Sequence, residues 1–184
     1  MKTIEVPTRE QVAPKAQAIF DQLNQQLGMV PNLYATMGWS ANALENYLTF
    51  QKNQAKGSFN AREREAVNLA ASEENQCQYC LAAHTAIGKM NGFTDAEILA
   101  LRAGTIANPK LRAITQLSKN LVQTRGAADP ALVEAFYNEG GDHAALIDLV
   151  ALVTDKIFSN YVHRLTQVPV DFPAAAPLEA ASLA

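Results

Sequence analysis

Apolar residues recur at helical spacing along this chain, and turn signals break the pattern roughly every 12 to 25 residues. No segment alternates apolar and polar residues between hairpin turns, as a half-buried strand would. Together these features confine the chain to all-α folds. Ile19, Leu23 and Leu27 share one face of a segment over 8–27. Thr8 and Gln11 are spaced as a capping box there, with Pro14 as an alternative first turn, and Gly28 is the stop. A short segment over 31–37 follows Pro31, and Ser40 caps a helix over 41–56 that Gly57 closes. Asn60 with Glu63 opens the next helix. Asn75, three residues before Gln78, signals a start for 76–90, and Asn91-Gly92 stops it. Thr94 with Glu97 opens 95–103. Asn108-Pro109 and Asp129-Pro130 place proline at the first position of 109–125 and 130–139. Asp142 opens a long apolar helix, 143–165, carrying Leu146, Leu149, Val150, Val153 and Ile157. The expectation is seven or eight helices in a single domain over 1–167. The tail over 168–184, with prolines at 169, 173 and 177, reads as extended. It is either loose or an arm anchored on a neighbouring subunit by Val170 and Phe172.

Composition narrows the function. With 184 residues, 48% hydrophobic and 18% charged, the chain suits one domain with a real core. A net charge of −3 offers no basic surface, so nucleic acid is not an expected partner. No apolar stretch of about 18 residues is present to span a membrane, and the opening MKTIEVPTRE lacks the apolar centre of a signal peptide. The expected location is the cytoplasm.

The two cysteines, Cys77 and Cys80, form a C-x-x-C with His84 four residues further on. On a helix advancing about 100° per residue, Cys77 and Cys80 lie about 60° apart and His84 falls between them in angle. Cys80 and His84 are spaced to touch. With Asn75 as the N-cap, Cys77 sits in the first turn, where free N–H groups favour a thiolate. An imidazole beside Cys80 can act as its base. On the preceding helix Glu63 has a capping role, and Glu73 and Glu74 lie in the connection. Glu65 lies at the flank of the apolar face, near Ala66 and Leu69. The proton path reads Glu65 to His84 to Cys80, with Cys77 as the resolving thiol.

Other readings compete. Two cysteines on an amphipathic helix can be inert core residues. A zinc site would need a fourth ligand from His143, His163 or Glu65. A c-type haem site needs His where Leu81 stands, and a thioredoxin-like site needs a strand where the polar EENQ turn stands. Tyr79 reads as a packing residue rather than a proton donor. His143 and His163 fall on opposite faces of one helix and read as surface or interface residues. Arg62 and Arg64 form a charged edge that can reach the mouth of the site. Trp39 and Phe50 read as core or interface aromatics.

The run from Glu65 through Cys77-x-x-Cys80-x-x-x-His84 to Gly92-Phe93-Thr94 and Glu97-Ile98 resembles the AhpD-like proteins of the carboxymuconolactone decarboxylase superfamily. Their pattern is Glu, eleven residues, C-x-x-C, three residues, His, and it fits here without a gap. The resemblance is specific over 60–104 and looser over 17–59 and 105–172. It implies an all-helical fold assembled into trimers or hexamers, with a thiol-dependent peroxidase or disulfide reductase activity. By position, the family's relay falls on Glu65, His84 and Cys80, and Cys77 completes the disulfide. AhpD itself has His just before its second cysteine. Tyr79 stands there in this chain, so the resemblance does not by itself imply identity with AhpD proper or a peroxiredoxin partner, and that partner stays open. The decarboxylase branch lacks the cysteine pair, so decarboxylation is not expected. The implied substrate is a hydroperoxide, the implied reductant an external dithiol or thiol protein, and the chemistry needs no metal or organic cofactor. A redox-sensing module of the same fold, and a metal-binding protein, are the alternatives.

Overall fold

Side chains that satisfy free backbone N–H groups begin most of the helices, at the places the sequence marks. The Ser40 hydroxyl accepts from the Ala43 N–H, and Asn60–Glu63 and Thr94–Glu97 close reciprocal capping boxes. Asn108, Asp129 and Asp142 cap in the same way. The computed structural model describes residues 4–178 and contains nine α-helices there: α1 (Pro14–Leu27), α2 (Asn32–Met37), α3 (Ala41–Asn53), α4 (Ala61–Glu74), α5 (Gln78–Met90), α6 (Asp95–Ala103), α7 (Pro109–Thr124), α8 (Pro130–Asn138) and α9 (His143–Thr166). The described residues include no strand.

The count exceeds the expected seven or eight because the short segment after Pro31 closes a helix of its own, α2. The capping box of Thr8 and Gln11 closes a 3-10 turn at Arg9–Gln11, and α1 starts afresh at Pro14. One expected boundary is wrong. Asn75 does not cap α5; it ends α4, and Cys77 is the N-cap of α5.

Helix α4 is the centre of the fold, packed against α5, α6, α7 and α9. Its Ala66, Val67, Leu69, Ala70 and Ala71 have no exposure. Small side chains on several faces let four neighbours approach one helix closely. They also bring polar positions of α4, Glu65, Asn68 and Ser72, into the interior. One apolar cluster joins α1, α2 and α3 to both cysteines through Phe20, Leu33, Leu44 and Tyr47. A second joins α7 and α9 through Ile114, Leu117, Leu149 and Leu152.

The tail is extended, and it docks on its own chain. Val168 is buried, and Phe172 packs against the cluster that holds the cysteines. The Asp171 carboxylate accepts the Asn32 N–H at 2.7 Å, so the tail supplies an acceptor at the start of α2. Val170 is exposed and anchors nothing within the chain. Over 168–178 the tail is therefore not loose within the chain. Residues 179–184 lie outside the described residues.

Candidate active site

The turn between α4 and α5 delivers the cysteines. Gln76 takes a left-handed conformation, φ 54°, which is uncommon for a residue with a Cβ. That turn reverses the chain between the two helices and sets Cys77 at the head of α5. Helix α9 clamps the turn: Asn160 Oδ1 accepts from Asn75 Nδ2 at 2.9 Å, and Arg164 donates to the Asn75 carbonyl at 2.9 Å. The Cys77 sulfur accepts the Cys80 N–H at 3.3 Å, and the two cysteines are joined in a disulfide.

The two sulfurs have different surroundings. Cys77 is fully buried in the apolar cluster. Cys80 lines a cleft of about 590 Å³ that also exposes Glu65, Asn68, His84, Asp155 and Lys156. Its other walls are largely apolar, among them Leu33, Ile87, Leu152 and Phe172.

The spacing argument brings Glu65 and His84 together, and so does the structure: Glu65 Oε2 and His84 Nδ1 are 2.7 Å apart, both groups buried. The second Glu65 oxygen accepts from Asn68 Nδ2 at 2.8 Å. Burial pushes the Glu65 carboxyl up, but the His84 imidazole, the Lys156 ammonium and the Asn68 amide outweigh it. The group stays below its ordinary value and is a carboxylate at neutral pH. At the other nitrogen of His84 the neighbour is Lys156, with Nζ 3.3 Å from Nε2. Lys156 in turn has Asp155 Oδ2 at 3.4 Å.

Sequence reasoning missed Lys156, Asp155 and Asn68. A signal was present: Asp155 and Lys156 are adjacent charges inside a helix otherwise read as apolar, between Val153 and Ile157. Charges are rarely buried without a partner. Tyr34 and Tyr47 also line the cleft, and burial raises both phenols well above their ordinary value.

The remaining candidates sort clearly. Tyr79 packs, as expected, with its ring 5.4 Å from His163 and 5.6 Å from Phe172. Its hydroxyl accepts the Leu33 N–H at 3.2 Å. Burial and the Asp171 carboxylate raise its phenol. His163 is not a surface residue: it is buried, with Nε2 at 3.2 Å from the Val168 carbonyl, and burial lowers its basicity. His143 is exposed and bonds Tyr137. Neither histidine approaches the cysteines as a fourth metal ligand, and no cluster of three candidate ligands occurs among the described residues. Arg62 binds the Asn91 and Gly92 carbonyls, away from the cleft, whereas Arg64 lines it. Trp39 and Phe50 are exposed rather than core.

Residues 41–117 match the sequence profile of the carboxymuconolactone decarboxylase family. Two peroxidase-related proteins share the fold. One, from Ralstonia eutropha JMP134 and described as an alkylhydroperoxidase AhpD core, is 20% identical with a TM-score of 0.77, over 90% of this chain and 91% of that one. The other, from Silicibacter sp. TM1040, is 18% identical with a TM-score of 0.73, over 95% and 94%. The profile match thus covers residues 41–117, and the likeness over the rest of the chain is one of fold. The fold is shared more widely. A variant of the debrominase Bmp8, solved with 2,3,4-tribromopyrrole, superposes with a TM-score of 0.78 at 16% identity, over 93% and 92%. No curated protein sequence matches the chain. Among the described residues no helix is long and apolar enough to cross a membrane.

Proposed function

We propose that the chain is a dithiol oxidoreductase that reduces organic hydroperoxides, with Cys80 as the attacking thiol and Cys77 as the resolving one. The observation that carries this reading is the asymmetry of the pair: Cys80 opens on the cleft beside Glu65 and His84, and Cys77 is sealed behind it. A substrate in the cleft meets one sulfur, and the second lies in bonding reach of it. The Cys80 thiolate takes the terminal oxygen of the hydroperoxide, and the alcohol leaves once protonated. Cys77 condenses with the sulfenic acid, releasing water. An external dithiol or thiol protein, in a reducing compartment such as the cytoplasm, then restores both thiols. The apolar walls favour an alkyl or aryl group on the peroxide.

The test is turnover of cumene hydroperoxide and hydrogen peroxide with dithiothreitol, followed by mass spectrometry of the Cys77–Cys80 disulfide. Turnover of the organic peroxide, lost in Cys80→Ser, supports the reading. A disulfide that forms once without turnover points instead to a redox-sensing module. Glu65→Gln and His84→Gln should each slow alkylation of Cys80 about tenfold or more, because the pair orders the proton path beside that sulfur.

A second reading is favoured by the aromatic lining of the cleft, Tyr34, Tyr47 and Phe172, and by its fold match to a debrominase. A thiolate can take bromine from a ring as it takes oxygen from a peroxide, with Cys77 then releasing bromide and the ring gaining a proton. Bromide release from a bromopyrrole, measured beside peroxide turnover, decides between them. We also propose that the chain assembles into trimers or hexamers, covering the exposed Ile147, Tyr161 and Leu165 of α9. Sedimentation at two protein concentrations tests this.

A further inference from the structure

A lysine in a protein interior is expensive unless other groups answer its charge. Lys156 lies in the middle of α9 at 1% exposure, and its side chain reaches the wall of the cleft that holds Cys80. Other titratable groups share the cleft with it. They are Glu65 of α4, His84 and Cys80 of α5, Asp155 of its own helix, Tyr34 of α2 and Tyr47 of α3. Arg64 of α4 also lines the cleft, with its guanidinium held by the Phe59 carbonyl at 2.6 Å.

The hydrogen bonds fix a direction. Lys156 Nζ and His84 Nε2 are 3.3 Å apart. Two nitrogens bond only when one of them accepts. An ammonium can only donate, so with Lys156 as the donor Nε2 accepts and carries no hydrogen, which leaves the ring proton on Nδ1 facing the Glu65 carboxylate at 2.7 Å. The imidazole is held in one tautomer, with both nitrogens engaged. The Asp155 oxygen at 3.4 Å is farther than a charge-assisted bond of about 2.7–2.9 Å, so it balances the amine without closing on it. The amine is therefore the outer end of the Glu65–His84 chain.

We propose, on the reading that this site reduces hydroperoxides with its dithiol, that Lys156 is the counter-ion of the Cys80 thiolate and the proton donor to the leaving oxygen. In the reduced protein Cys80 is a thiolate and Lys156 an ammonium. The sulfur bonds the terminal oxygen of the hydroperoxide, the O–O bond breaks, and the alkoxide leaves with the electron pair. The ammonium gives it a proton, so an alcohol departs and an amine remains. The Cys77 thiol then displaces hydroxide from the sulfenic sulfur, and its proton leaves with that hydroxide as water. An external dithiol reduces the disulfide to two thiols and is itself oxidised. The Cys80 thiol passes its proton to the amine, and the thiolate–ammonium pair is restored. Glu65 and His84 keep the amine aimed throughout.

Alkylation of Cys80 by iodoacetamide, followed against pH in the Cys77→Ser background, reads the thiolate without any peroxide. Failure of this proposal is thus distinct from failure of the peroxidase reading, which shows as absence of turnover in the unaltered protein. Lys156→Met should move the alkylation midpoint up by about one pH unit or more, with a rate at pH 7 about tenfold lower. Lys156→Arg keeps a cation but does not release its proton. It should keep the midpoint and lose hydroperoxide turnover about tenfold, the general-acid share of the rate. If Lys156→Met does not fold, Asp155→Asn with Lys156→Met removes both charges and is read in the same way. An alkylation profile of the folded variant that overlays the parent's overturns the counter-ion role. Full turnover in Lys156→Arg overturns proton donation.

Discussion

Arg102 and Lys156 are both long cations folded into the interior, 3% and 1% exposed, and they are satisfied very differently. Arg102 on α6 donates to Glu73 of α4 at 2.7 Å and to the Ala176 carbonyl of the tail. Its own carbonyl receives Lys119 of α7 at 2.9 Å. Each bond ties one element to another. Around Lys156 the carboxylate is more distant, and the bonded neighbour is an imidazole. Asp155 Oδ1 and Asn68 Oδ1 have no partner within the chain. A buried charge that holds helices together is saturated with bonds. The polar groups along the cleft keep unused bonding capacity, at a cost in stability.

The contrast can be broken. The largest effect expected is on the cleft: Cys80→Ser should lower hydroperoxide turnover by about 10³-fold or more, as loss of a nucleophile does. Cys77→Ser should instead allow one oxidation and trap a sulfenate, which dimedone labelling detects. Next, Arg102→Met leaves the Glu73 carboxylate without its cation and should cost about 3 kcal/mol or more of stability in urea unfolding. It should leave the alkylation profile of Cys80 unchanged. A shift of that profile in Arg102→Met would show that the two clusters are coupled. Phe172→Ala removes a half-buried ring that belongs to both the tail and the cleft wall. About 2 kcal/mol of stability should go, below the cost for a fully buried ring, together with a higher KM for bulky peroxides. The smallest effect concerns pH. The folded state holds the Glu65 carboxyl below its unfolded value, so its contribution to stability is present above about pH 4.3 and is lost as pH falls through the folded value. Melting temperatures of the parent protein and Glu65→Gln should therefore converge towards pH 3.

Much of the cleft's chemistry lay within reach of local spacing. Glu65, Cys80 and His84 occupy two consecutive helices, so helical angles and one short turn suffice to bring them together. Lys156 comes from α9, and no local rule connects it to His84. Its adjacency to Asp155 in an apolar helix marked a buried charge but not its partner. The start of α5 was misread for a different reason. Asn75 has the chemistry of an N-cap, but its amide is taken by Asn160, and the Cys77 sulfur caps in its place. The tail's prolines foretold an extended chain. Its docking depends on Tyr79 and Asn32, far away in sequence.

That docking has a consequence for how the protein is made. Phe172 closes a wall of the cleft, and it is translated long after the cysteines. While the chain is still on the ribosome, α4 and α5 can pair and set Cys77 and Cys80 side by side, but the wall is still missing. Until Phe172 is made and docks, that side of the cleft lacks its ring. Docking of Phe172 is the step that completes the wall beside the dithiol.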